Sequence, residues 1–161
     1  MTTNWESEIA LLLTDLMSVQ DELLGFLAEK RQLLMQMNVA RLDELEAAGE
    51  SLIARLQDCH DRRGALLARA ASESRPADSL RTLALSLPAA ERGQLPARVS
   101  EAAQRAQLLK HTSFANWVFV QRSLLHLARL LEIFATGGKP QPTYGRDEPL
   151  RSGGALVDQA A

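Results

Sequence analysis

The sequence predicts an all-α protein, an antiparallel coiled-coil-like bundle of three long helices with a short connector helix and a flexible C-terminal tail. Three observations lead there. Apolar residues make up 46% of the chain but aromatic ones only 4%. The apolar content is therefore mostly Leu and Ala, which favour helix, while strand-favouring residues are scarce. Over three long stretches the apolar residues recur at heptad spacing. Turn-forming residues gather in two places, between Ala71 and Pro96 and again after Gly137. The expected organisation is a helical bundle over residues 1–136 and a tail over residues 137–161.

The first helix is expected from about Trp5 to Met37, with Asn4 as its cap and Glu6 and Glu8 near the positive end of its dipole. Its seam reads Ile9, Leu12, Leu16, Val19, Leu23, Phe26, Lys30, Leu33 and Met37, interrupted only by Lys30. Leu13, Leu27 and Leu34 widen the stripe, as a helix touching more than one neighbour requires. Asn38 breaks the pattern, as a sharp turn or as a kink. The second helix resumes near Leu42 and continues to about Ala71, with Leu42, Leu45, Leu52, Leu56, Cys59 and Leu66 on its seam. Gly49 and Arg63 are its weak points.

The stretch from Ala71 to Pro96 is a connector, with Leu80, Leu83, Leu85 and Leu87 marking a short helix that starts near Ser79. The third long helix begins near Pro96, since proline suits a first turn, and Gly137-Gly138 ends it after Phe134 or Ala135. Its expected buried face is Val99, Ala103, Ala106, Leu109, Trp117, Val120, Leu124, Leu127, Leu131 and Phe134. After Gly138, Pro140, Pro142, Gly145, Pro149, Gly153 and Gly154 remove helical periodicity. That tail still carries Tyr144, Leu150, Leu156 and Val157, spaced apolar residues of the kind that fold onto a partner.

Several functions are disfavoured by what is missing. The net charge of −2 and the lack of a Lys/Arg block argue against nucleic acid. No basic-then-apolar leader opens the chain and no apolar run nears the roughly 20 residues of a membrane span. With a single cysteine, Cys59, this suggests a cytoplasmic protein. His60, His111 and His126 form no Glu-x-x-His or His-x-x-x-His pattern, and Cys59-His60 lacks a second pair of metal ligands. Gly137-Gly138 is not followed by the Lys-Ser/Thr of a phosphate loop. The reading is no enzyme, no metal and no cofactor.

What stands out instead is an excess of apolar helical surface. Val118, Phe119, Leu125, Leu130 and Ile133 lie off the expected buried stripe, so the segment from Val118 to Phe134 is apolar around much of its circumference. Three long helices cannot enclose such a segment, and a groove awaiting a partner helix, or self-association, would satisfy it. Phe114 and Trp117 share a face; Trp117 is expected in the core and Phe119 in solvent. Ser113 and Asn116 are polar on or beside the seam and would either set register or receive a client backbone.

In this setting the chain resembles the FlgN family of flagellar export chaperones. The residues that carry the resemblance are Asn116, Leu124-Leu125, Leu127-x-x-Leu130-Leu131-x-x-Phe134, Gly137, Thr143-Tyr144-Gly145 and Leu156-Val157-Asp158-x-Ala160. Ser113 and Glu148-Pro149 depart from the family pattern, which favours Asn and Gly there. The resemblance implies a cytoplasmic protein that binds the hook–filament junction proteins FlgK and FlgL, prevents their premature assembly and delivers them to the export gate of the flagellar type III apparatus. Phe119, Leu124, Leu125, Leu127, Leu130 and Leu131 are the expected client contacts, with Tyr144 and Leu156 closing over the client or docking at the gate. The competing reading is a self-associating coiled-coil or adaptor protein without a secreted client.

Overall fold

The computed structural model describes residues 5–137, and every regular element among them is helical. The elements are α1 (Trp5–Met35), α2 (Val39–Ser72), α3 (Leu80–Ser86), α4 (Ala89–Arg92) and α5 (Leu95–Thr136). Only the one-turn α4 is absent from the sequence expectation. Asn4, the expected first cap, lies outside the described residues.

Local chemistry sets most helix ends. Asn38 makes a sharp turn, not a kink: Met37 takes a left-handed φ of 54° and the Asn38 side chain then accepts a hydrogen bond from the Arg41 amide, capping α2. Met37, expected on the seam, is therefore exposed in the turn. Ser79 caps α3 in a reciprocal box with Thr82. Gly137, with φ of 63°, follows the last residue of α5, where a left-handed conformation suits glycine.

By compactness the chain divides into Met1–Gln121 and Arg122–Ala161, and α5 contributes to both units. Within the first unit α1 and α2 run antiparallel. Three ion pairs fix their register: Glu8 with Arg69, Asp15 with Arg62 at 2.7 Å, and Glu22 with Arg55 at 2.6 Å. Successive rungs are one heptad apart on both helices, which is the repeat of a two-helix seam. The first part of α5 runs parallel to α1, as partners rising together in number show. Arg98 donates to the Thr14 hydroxyl, Gln20 to the Ala102 carbonyl, and Arg105 pairs with Asp21 at 3.3 Å.

The core is concentrated where α1 begins and α2 ends. Trp5, Ile9, Leu12 and Leu13 pack there with Cys59, Leu66 and Ala70, beneath Leu80, Leu83, Ala84 and Leu87 and beside Leu95 and Ala102. The Arg69 and Arg75 guanidinium groups lie 4.5 and 5.5 Å from the centroid of the Trp5 ring, so their charge faces its π surface. A smaller cluster, Val19, Leu23 and Leu52 with Phe26, Leu56 and Leu109, follows. Gly49, a weak point of the heptad in the sequence, is buried for a reason: a Cβ there would come within 2.6 Å of the Phe26 ring. Lys30 leaves the seam intact by placing its ammonium 5.7 Å from the centroid of the same ring.

Candidate protein-interaction surface

The inward face of the first part of α5 is Leu95, Val99, Ala102 and Leu109, followed by Thr112 and Asn116. This corrects the expected stripe, because Ala103 and Ala106 are exposed. The expected phase followed the alanines; the true one follows Leu95, and its later positions are polar. Asn116 is only 6% exposed, and its side-chain amide donates to the Leu27 carbonyl at 2.8 Å. Gln20 makes the equivalent bond from α1 to Ala102 at 3.1 Å. The oxygens of both side chains, buried, have no partner among the described residues. A buried amide without full satisfaction costs stability and fixes alignment, the register role expected for Asn116.

With polar groups turned inward, apolar ones turn outward. Trp117, expected in the core, is 58% exposed, whereas Phe119, expected in solvent, is half-buried. The Phe114 and Trp117 rings stack with centroids 5.8 Å apart and planes 26° from parallel, which confirms their shared face. Phe114 too is exposed. At this level one polar side chain takes a buried place while two aromatic rings face solvent, against the usual amphipathic order.

In the second unit, none of residues 122–137 is buried. Leu124, Leu125, Leu127, Leu130, Leu131, Ile133 and Phe134 are between 37% and 81% exposed. Leu124, Leu127, Leu131 and Phe134 were expected to face inward; they do not, because this stretch contains no second helix to receive them. Helical geometry puts Leu124, Leu127, Leu130, Leu131 and Phe134 on one stripe, with Arg122, Arg129 and Glu132 on the far side. Five of the six expected client contacts thus share one short exposed segment; Phe119 belongs to the preceding one. Covering one such side chain is worth roughly 1.5–3 kcal/mol, so covering the stripe would yield on the order of 10 kcal/mol before ordering costs.

Elsewhere the chemistry is plain. Burial pushes the Cys59 thiol up from its ordinary range, and the thiol lies in the α1–α2 seam as a small apolar group. Among the described residues no group of three or more His, Cys, Asp or Glu side chains is placed to hold a metal ion, and no helix is long and apolar enough to cross a membrane. Tyr144 and Leu156, expected to act in the tail, lie outside the described residues. The heptad ladder of ion pairs escaped the sequence reading, although Glu8, Asp15 and Glu22 against Arg55, Arg62 and Arg69 display it.

Among protein families, the chain matches the model described as FlgN protein over residues 1–151. No curated protein and no solved structure matches the chain.

Proposed function

The chain belongs to the FlgN family of flagellar export chaperones, and from that premise we propose that it holds the hook–filament junction proteins FlgK and FlgL in the cytoplasm and brings them to the type III export gate. The observation that supports this reading is the exposed stripe of Leu124, Leu127, Leu130, Leu131 and Phe134. A client helix laid along it would bury its own apolar face, the face that would otherwise drive premature assembly. Phe119 would extend the contact, whereas Leu125 lies on the opposite face of the helix, with Arg129 and Glu132, and would meet a client only from that side. Such binding is apolar and non-covalent, so release at the gate needs no reaction catalysed by this chain. In this reading the tail, through Tyr144 and Leu156, closes over the client or engages the gate.

The test is co-purification of FlgK and FlgL from the same organism with the wild-type chain and with the double variant Leu127→Asp, Leu131→Asp. The wild type should retain one or both junction proteins, and the double variant should bind at least tenfold more weakly with unchanged helical content. Retention by the double variant at wild-type strength would move the client elsewhere. Failure of the wild type to bind either protein would overturn the reading.

A further inference from the structure

We infer that residues 124–134 also pair with the same residues of a second copy of this chain, antiparallel and about a two-fold axis. Where client binding at this stripe is as proposed above, the pairing keeps the stripe covered until a client displaces it. The pairing itself does not depend on that reading.

Three features of the segment point to a second copy. First, the stripe carries no ionisable group: Arg122, Arg129 and Glu132 lie on the far side of the helix and His126 on its flank. A two-fold interface sets residue i against j and j against i, so a charge on the stripe would be buried twice, each time against an apolar side chain of the other copy. Second, the antiparallel register is apolar against apolar throughout. With the axis between Leu130 and Leu131, Leu130 meets Leu131 of the second copy and Leu127 meets Phe134. Gly137, lacking a side chain, falls opposite Leu124 and leaves it room. Opposed helix dipoles favour this direction over the parallel one.

Third, the area has the size of a reversible contact. Five side chains between 37% and 81% exposed offer at most roughly 500 Å² per copy, about 1,000 Å² in all, the lower limit for a specific interface. A dimer of that size dissociates readily, as a surface shared with another partner requires.

Sedimentation of the full chain across the micromolar range should show the mass rising from 17.7 kDa toward twice that value. Leu131→Asp should weaken the association at least tenfold without loss of helix. A mass fixed at 17.7 kDa at every concentration would overturn the pairing and leave the client reading standing. Single added cysteines give the direction. On oxidation Leu131→Cys should form a disulfide-linked dimer and Leu124→Cys should not, while the buried Cys59 stays silent. Equal cross-linking at both positions would overturn the antiparallel register. Adding FlgK or FlgL should suppress the Leu131→Cys cross-link; a cross-linked dimer that holds client equally well would overturn the competition. A chain that dimerises but binds neither junction protein would overturn the proposed function and leave the pairing intact.

Discussion

The start of α1 and the end of α5 are built from much the same residues, yet one is sealed and the other open. Around Trp5, Ile9 and Leu13 the apolar side chains of four helical segments converge, and hardly any of that surface meets water. From Leu124 to Phe134 a comparable density of leucines meets almost nothing else. The difference lies in the neighbours: α1 has opposing helices that bury its apolar side chains, while among the described residues of the second unit no side chain is buried. Hydrophobicity by itself thus does not make a core. It makes one only where a second element arrives in register, and elsewhere it makes a binding surface.

That contrast can be broken most directly by truncating side chains in each region. Trp5→Ala should cost about 3–5 kcal/mol in urea unfolding, since it empties the sealed end and strands the guanidinium groups of Arg69 and Arg75. Leu131→Ala should change stability by less than about 0.5 kcal/mol, because little is packed around it. A large loss at Leu131 would mean that the stripe is core after all.

Smaller effects sharpen the description of the hairpin. Gly49→Val should destabilise by about 1–3 kcal/mol, as Phe26 has to leave its place against α2. Asn116→Ala, which removes the bond to Leu27 but also an unsatisfied oxygen, should cost only about 1 kcal/mol by the same assay.

The smallest effect belongs to the ion-pair ladder. The hydrogen bond from Arg55 holds the Glu22 carboxyl below its ordinary value of 4.5. A carboxyl depressed in the folded state stabilises the fold above that ordinary value, and the contribution fades as pH falls through the lowered one. The melting temperature should accordingly fall at acid pH, and Glu22→Gln should flatten that fall slightly. Both groups are exposed, so the change should be small.

Much of this was legible beforehand. The bounds of the long helices, the role of Asn38 as punctuation, the short helix after Ser79 and the stop at Gly137 all follow from heptads and cap residues. The phase of α5 did not. Its alanines at positions 102, 103 and 106 fit several stripes equally well, and small residues carry too little hydrophobic contrast to choose among them. The choice was made by Asn116 and Gln20, whose amides reach carbonyls on the facing helix, a pairing invisible until the helices are assembled. Once polar groups take the inner face, Trp117 turns outward, against the usual rule for an aromatic residue. Of the candidate contacts, Leu125 and Leu130 were placed correctly as outward residues. Leu124, Leu127 and Leu131 became more accessible than their place on the expected stripe implied.

Amide hydrogen exchange in the free chain and with FlgK or FlgL added would weigh the two regions against each other. In the free monomer, below the concentration at which it pairs, residues 122–136 should exchange far faster than residues 9–13, and client should slow the former while leaving the latter as they were. Protection of residues 122–136 equal to that of the Trp5 core in the free monomer, or no change on adding either client, would contradict the view that the end of α5 is a surface waiting for another polypeptide.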